Sequence, residues 1–563
     1  MSSKQVVRDA LTGDDNISGL GGETGSDEME DNYSSENCAT QTLENSGINR
    51  AGTDNGVSGE FIDFAGERYY VIHNVDKIAP FFISVISDSD HWLFVSSTGG
   101  LTAGRVSPET ALFPYVTVDK IHDNAVHTGS KTLLRVNKDG MYFEWEPFNM
   151  EHDGLYVLRR HLYKNLLSNK LCFEEINYDL NLVFRYTWST SDKYGFVRQC
   201  ELSNQGEADV IIDMIDGLQN ILPAGTPRFA QTNSSNLVDA YKWTELDRKS
   251  GVAFFTLYSG ITDKAEPCES LKANTVFCHG LEGHKILISS EQLDDFRLGK
   301  ELHQEEHKRG VRGAYLVNQK VQLTPGVTQH WQFVANIEQS QSQVVSLLNM
   351  LKQPDFVAED IANSVTEGSD RLARIMGRVD GFQLTTEENV SAHHYANVLF
   401  NSLRGGIFDD QYQVSSQDFA ANIENFNRVL YQQYQELLEG LPAKLDFRQL
   451  LLIVRKQGNP QLERLCLEYL PITFGRRHGD PSRPWNQFAI KLKDEQGDRL
   501  LSYEGNWRDI FQNWEALVFS YPEFIENVIA KFVNASTVDG YNPYRITKQG
   551  IDWEIEDPDE PWS

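Results

Sequence analysis

The chain has 563 residues, 40% of them hydrophobic and 11% aromatic, and its 81 acidic and 51 basic side chains give a formal net charge of −30. A single hydrophobic core stops growing near ~250–300 residues, so two large domains are expected. The charge repels phosphate backbones and anionic lipid, which argues against nucleic acid or membrane as a main partner, and no apolar run approaches the ~20 residues of a membrane span.

The start, Met1-Ser2-Ser3-Lys4, leads into an acidic, Gly/Ser-rich stretch without the apolar segment of a secretory signal. Six cysteines (Cys38, Cys172, Cys200, Cys268, Cys278, Cys466) lie far apart, at neither zinc nor redox spacing. Reduced thiols in a cytoplasmic protein without a metal are the expectation. Residues 1–58 carry Asp14, Asp15, Glu23, Asp27, Glu28, Glu30 and Asp31 among Gly, Ser, Asn and Thr, with little to bury. They read as a disordered acidic tail. Its Gly19-Leu20-Gly21-Gly22 has neither the preceding strand nor the following helix of a nucleotide loop.

Residues 59–338 predict many short antiparallel strands: Tyr69-Tyr70-Val71-Ile72, Phe81 to Val85, Trp92-Leu93-Phe94-Val95 and Leu182 to Tyr186. Turn signals such as Asn137-Lys138-Asp139-Gly140 and Asn204-Gln205-Gly206 separate them. An oversized sandwich follows. After about residue 340 the period becomes helical. A helical linker is expected over 339–376 and an α-helical domain over 377–563, with helices near 341–352, 358–376, 388–403, 446–469, 507–520 and 522–535. Phe419, Ile423, Phe426, Leu430, Tyr434 and Leu437 predict one further amphipathic helix, started by Ser415 and Ser416 and stopped by Gly440 and Pro442.

Two histidine motifs read as structural. His303-Gln304-Glu305-Glu306-His307 matches an inverted zinc-protease pattern, but its charged flanks predict a solvated loop. His393 and His394 are neighbours on a helix and point about 100° apart, so they cannot chelate one ion. The loop Thr98-Gly99-Gly100-Leu101-Thr102-Ala103-Gly104-Arg105 is either a turn or a ligand-facing loop, with Arg105 the residue that would reach outward.

Two clusters suit sugars or an oxyanion. Arg476-Arg477-His478-Gly479-Asp480-Pro481-Ser482-Arg483-Pro484-Trp485-Asn486 displays Arg477, His478, Asp480, Arg483 and Trp485 on a loop that its prolines keep from being helical. Further on, Trp507, Phe511, Trp514 and Val518 form a helical stripe expected to pack inward. Arg508 and Gln512 would share a second face, with Asp509 and Asn513 beside it.

At these residues the chain resembles glycoside hydrolase family 94, the cellobiose and chitobiose phosphorylases, and more closely the large proteins related to them. The likeness rests on Gly-Gly-Leu-Thr-Ala-Gly-Arg with Phe113-Pro114-Tyr115, on Asn177-Tyr178-Asp179-Leu180, and on Trp507-Arg508-Asp509. It implies a β-supersandwich, a helical linker and an (α/α)6 barrel, in proteins that are often dimeric. It implies inverting phosphorolysis of a β-glucoside: inorganic phosphate as co-substrate attacks the anomeric carbon while one carboxylic acid protonates the leaving oxygen. An inverting hydrolase needs a second carboxylate to activate water. The family's Arg-Asp-x-x-Gln-Asp stretch resembles Arg508, Asp509, Gln512 and Asn513 here, with an amide in place of the last carboxylate. Fewer than two hundred residues follow the linker, and no Gly-Asp-Trp-Asn-Asp stretch occurs before Ser563. The expectation is an incomplete barrel without its proton donor and with no catalytic residue assigned, acting on a small saccharide and phosphate as a homodimer or with a second polypeptide that completes the barrel. The alternatives are an inverting glycosidase and a non-catalytic carbohydrate-binding subunit.

Overall fold

The computed structural model describes residues 56–138, 140–261, 271–281, 283–475, 488–494, 497 and 499–553, apart from the side chains of 354–356. A large sheet-rich part comes first and a helical part follows.

The β-branched and aromatic runs of the first part pair antiparallel throughout. Among the described residues the largest sheet has eleven strands. Its centre is formed by Leu171–Asn177, Leu182–Ser191, Gly195–Asn204, Thr328–Ser340 and Lys272–His279, and the first strand among the described residues, Ser58–Phe64, lies at one edge. A five-stranded sheet holds Val210–Ile221 between Gly313–Leu323 and Gly129–Lys138, and a four-stranded sheet runs from Phe82–Val85 to Ala111–Phe113. Phe184, Phe196, Met214, Leu134, Val95 and Trp331, drawn from all three sheets, share one buried cluster. The predicted hairpin at Asn137 is present: Lys138 pairs with Met141, and Gly140 takes the positive φ of 81° that the turn requires.

Polar bonds cross this core. Arg198 and Asp216, both fully buried, meet at 2.9 Å between the two larger sheets, and Trp331 Nε1 donates to the same carboxylate at 2.7 Å. The guanidinium lies over the Tyr186 ring, 4.7 Å from its centroid. Trp145 Nε1 donates to Glu175 Oε1 at 2.7 Å, and burial pushes that carboxyl up from its usual range.

The helical part begins at Ser340, whose hydroxyl and Gln343 form a capping box at the start of α1, Gln341–Met350. Then come α2 (Pro354–Gly377), α3 (Glu388–Gly405), α4 (Ser416–Phe426), α5 (Arg428–Gln433), α6 (Gln435–Glu439), α7 (Phe447–Lys456), α8 (Pro460–Leu467), α9 (Trp507–Ser520) and α10 (Ile525–Ala535). The helix expected from Ser415 to Leu437 is three shorter ones. Asn427 leaves helical geometry at φ −156° and its side chain caps α5 by accepting from Leu430 N. The stretch 446–469 divides likewise, at Gly458 (φ 64°), Asn459 and Pro460. Small strands also lie in this part, against the expectation of none: Gln413–Ser415 with Lys444–Asp446, Ile407–Phe408 with Ile472–Thr473, and Glu504–Asn506 with Arg545–Thr547 and Ile551–Asp552.

The two parts are held together by charge-assisted bonds, from Arg68 to both oxygens of Glu388 (2.7 and 2.9 Å) and from Arg371 to Asp88 (2.6 Å). Ile86, beside Asp88, is buried among the helices.

Candidate functional site

The predicted Trp-Arg-Asp corner opens α9. The strand Glu504–Asn506 delivers the chain to it, and Trp507 N donates to Tyr544 O at 3.0 Å. The Phe532 ring of α10 is a hub for the rings of Trp507 (5.3 Å), Phe511 (5.0 Å) and Trp514 (5.6 Å), each edge to face. Trp507 thus packs behind the corner, and its indole N–H is buried without an acceptor among the described residues.

The inward face is rotated from the expected stripe. Ile510, Asn513, Trp514 and Leu517 are buried, whereas Phe511 is exposed. The cause is close packing on α3: Trp514 Nε1 donates to Gly405 O at 2.8 Å, and a side chain on Gly405 would meet Asn513 Cβ at 2.7 Å. Only glycine allows that approach. Asn513 Nδ2 donates to Asn401 Oδ1 at 2.9 Å. Arg508 is 87% exposed, and its contact with neighbouring Asp509 is long, at 3.4 Å. Gln512 is exposed on the same side. The structure therefore groups Arg508, Asp509 and Gln512 at the surface and turns Asn513 into the α3 seam. Residues 476–487, with Arg477, His478, Asp480, Arg483 and Trp485, lie outside the described residues.

Arg105 does not reach outward. Its Nε donates to Asp90 Oδ1 at 2.7 Å. The glycines before it are architectural: Gly99 takes φ 91° in the turn, a side chain on Gly100 would meet Ile121 O at 2.0 Å, and one on Gly104 would meet the Trp92 ring at 2.2 Å. Asn177-Tyr178-Asp179-Leu180 is also a turn, in which Asn177 Oδ1 accepts from Asp179 N (3.2 Å) and Leu180 N (3.0 Å). The motif at His303 is extended rather than helical. Its Glu305 is buried, contrary to a solvated loop, and accepts from Ile288 N and Ser289 N at 2.8 and 2.9 Å. No group of histidines, cysteines and carboxylates suited to a metal occurs among the described residues. His394 Nε2 lies 2.6 Å from Asp380 O.

Sequence reasoning missed two features near the corner. The exposed rings of Tyr541, Tyr544 and Trp553 flank the small strands beside it, and an aromatic count over 541–553 would have flagged them. Behind the corner, Asp418 is held by Lys548 and by Tyr469 Oη at 2.5 Å. Lys531 of α10 is buried, 4.9 Å from the Phe426 ring centroid, and desolvation lowers its pKa to about 8. A lone lysine three residues after Val528, on the apolar face of α10, was the readable signal.

A sheet-rich part joined to a helical part that exposes an Arg-Asp-Gln surface defines a large two-part protein. Within it, residues 408–471 match the profile of glycoside hydrolase family 149 insertion domain 1. The match names family 149 where the motif resemblance names family 94. Its limits coincide with a closed gate: Ile407 pairs with Thr473 and Phe408 with Ile472, so the chain enters and leaves α4 to α8 through one antiparallel pair. This module sits inside the 377–563 stretch that the sequence reading assigned to a barrel. No curated protein sequence matches the chain. Similar solved structures include a bacterial glucoamylase complexed with acarbose, 10% identical with a TM-score of 0.35, aligned over 79% of this chain and 57% of that one. A human-microbiome protein assigned as a kojibiose phosphorylase is 8% identical with a TM-score of 0.28, over 73% and 46%. A polysaccharide lyase is 12% identical with a TM-score of 0.26, over 48% and 34%. Likeness at these scores carries no argument, and the chain spans little more than half the length of the glucoamylase and less of the others.

Proposed function

We propose that this chain belongs to a carbohydrate-active enzyme that cleaves a β-glucoside by inverting phosphorolysis. The insertion-domain match over 408–471 is the observation that carries this reading, because it ties the helical part to a glycoside hydrolase family. The motif resemblance adds the reaction, the supersandwich description of the sheet-rich part and an (α/α)6 barrel for the helical part. Arg508 and Asp509 orient sugar hydroxyls, Trp507 backs them, and Gln512 adds an amide on the same side. An exposed guanidinium with one long contact keeps most of its five donors for a ligand. The stretch from Arg476 to Asn486, outside the described residues, is assigned to the acceptor or phosphate side. The substrate is a small saccharide with inorganic phosphate, the setting is cytoplasmic, and the assembly is a homodimer or includes a second polypeptide. No general acid is assigned in this chain. Asn513 is excluded from sugar contact in this reading, since Asn401 occupies its amide.

The test is a product assay with a panel of β-linked glucosyl disaccharides, with and without inorganic phosphate. Release of a sugar 1-phosphate only when phosphate is present supports the reading. Free sugar formed without phosphate marks a hydrolase instead, and no turnover beside measurable sugar binding marks a non-catalytic carbohydrate-binding subunit.

A further inference from the structure

A cavity of about 330 Å³ lies far along the chain from the α9 corner, between the largest sheet and α1. Thr275 and Phe277 reach it from the strand Lys272–His279, Gln339 from Thr328–Ser340, Tyr194 from the turn before Gly195, and Gln343 and Ser346 from α1. A register shift between Ala273 and Thr275, opposite a left-handed Glu338 (φ 51°), breaks the regular pairing at this point, and a bulge of this kind re-aims the side chains beside it. The helix lies over the cavity without a fully buried residue of its own.

Three polar valences are left open here. Thr275 is 1% exposed and lines the cavity, and its hydroxyl makes no hydrogen bond among the described residues. Gln339 donates from Nε2 to Ile337 O at 2.9 Å, which leaves its Oε1 free. Gln343, at the exposed rim, accepts from Ser340 N at 2.8 Å through Oε1 and keeps its Nε2 open to solvent or to an occupant. A hydroxyl that faces the cavity without a protein partner can donate to or accept from an occupant. The occupant is neutral, because the one cation of the lining, Lys193, is paired with Asp360, which also accepts from Tyr194 Oη at 2.5 Å. The floor of Phe277 and Val334 is apolar, and Leu347 of α1 faces it from above. An apolar floor with a rim that offers a donor, an acceptor and a hydroxyl complements a pyranose, which has one apolar face and an edge of groups that both donate and accept. The volume falls at the small end of the ~300–1,000 Å³ typical of ligand sites.

We propose that this cavity, walled by Thr275, Gln339 and Gln343, binds one neutral pyranose-sized polyol as a saccharide site separate from the α9 corner. The choice of a sugar rests on the carbohydrate reading above, and the site rests on the free valences.

The experiment titrates D-glucose onto the full chain by calorimetry and saturation-transfer NMR. Wild type is expected to show two independent glucose sites, Thr275→Val to weaken the cavity-dependent one about tenfold for one lost hydrogen bond, and Ser346→Trp, which fills the cavity from its rim, to lose it and keep the α9-dependent signal, while Arg508→Ala loses only the α9-dependent signal. If Ser346→Trp does not melt cooperatively, Thr275→Val decides. No glucose signal, or a signal unchanged in the cavity variants, overturns the proposal. A signal lost entirely in Arg508→Ala and unchanged in Ser346→Trp removes this site and leaves the proposed function standing. A cavity-dependent signal in a protein that fails the product assay does the reverse.

Discussion

Asn513 and Asn401 are joined amide to amide, with Nδ2 of Asn513 donating to Oδ1 of Asn401 at 2.9 Å across the seam between α9 and α3. Each helical residue turns about 100°, so Arg508, five positions earlier, points about 140° away from Asn513. Fixing Asn513 inward fixes Arg508 outward. Asn513→Ala should therefore lower stability by about 1–2 kcal/mol in urea unfolding and leave saccharide affinity unchanged. Reduced affinity at full stability would mean that Asn513 contacts the ligand.

The Arg198 and Asp216 pair makes a different demand. Both groups are fully buried, so removing one leaves the other charged and unpaired. Asp216→Ala is expected to cost about 3–5 kcal/mol, measured as a lower denaturation midpoint, and the double variant Arg198→Met with Asp216→Leu should recover most of the loss. A double variant as unstable as the single one would contradict this account.

Lys531 gives a pH signature. Its folded pKa, lowered to about 8 by desolvation, lies below the ~10.4 of an unfolded lysine, so between these values the unfolded state binds more protons and stability rises with pH. At neutral pH both states are protonated, and the full penalty of roughly 3 kcal/mol is present. Lys531→Met should raise stability at pH 7 and flatten the rise from pH 8 to 10.5, read from urea midpoints across that range.

Gly100 tests the architectural reading of the glycine loop. A methyl group there meets Ile121 O, a backbone atom that cannot rotate away. Gly100→Ala should cost about 1–3 kcal/mol in urea unfolding without any change in saccharide binding.

The fold was legible where periodicity is strong. The strand His91–Ser96 and the helix α9 sit where the continuous apolar run and the 3.6-residue repeat place them. Boundaries between α4, α5 and α6 were not legible, because the apolar spacing runs on through Asn427 while the cap that breaks it is a local hydrogen bond. The inward face of α9 was misread because Trp507 and Phe511 look like core residues in isolation. Packing against Gly405 of α3, more than a hundred residues away, decides which face turns inward. The module over 408–471 was hidden for a similar reason: its helices resemble their neighbours, and only the pairing of Ile407 with Thr473 marks where it closes.

The central claim is that a saccharide is held at the surface corner of Trp507, Arg508 and Asp509. Calorimetric titration of a β-linked glucosyl oligosaccharide onto wild type and Arg508→Ala tests it most directly, with urea midpoints confirming equal stability for this exposed position. The account predicts that wild type binds and that the variant loses the α9-dependent heat. An oligosaccharide that binds the variant with undiminished affinity would contradict it.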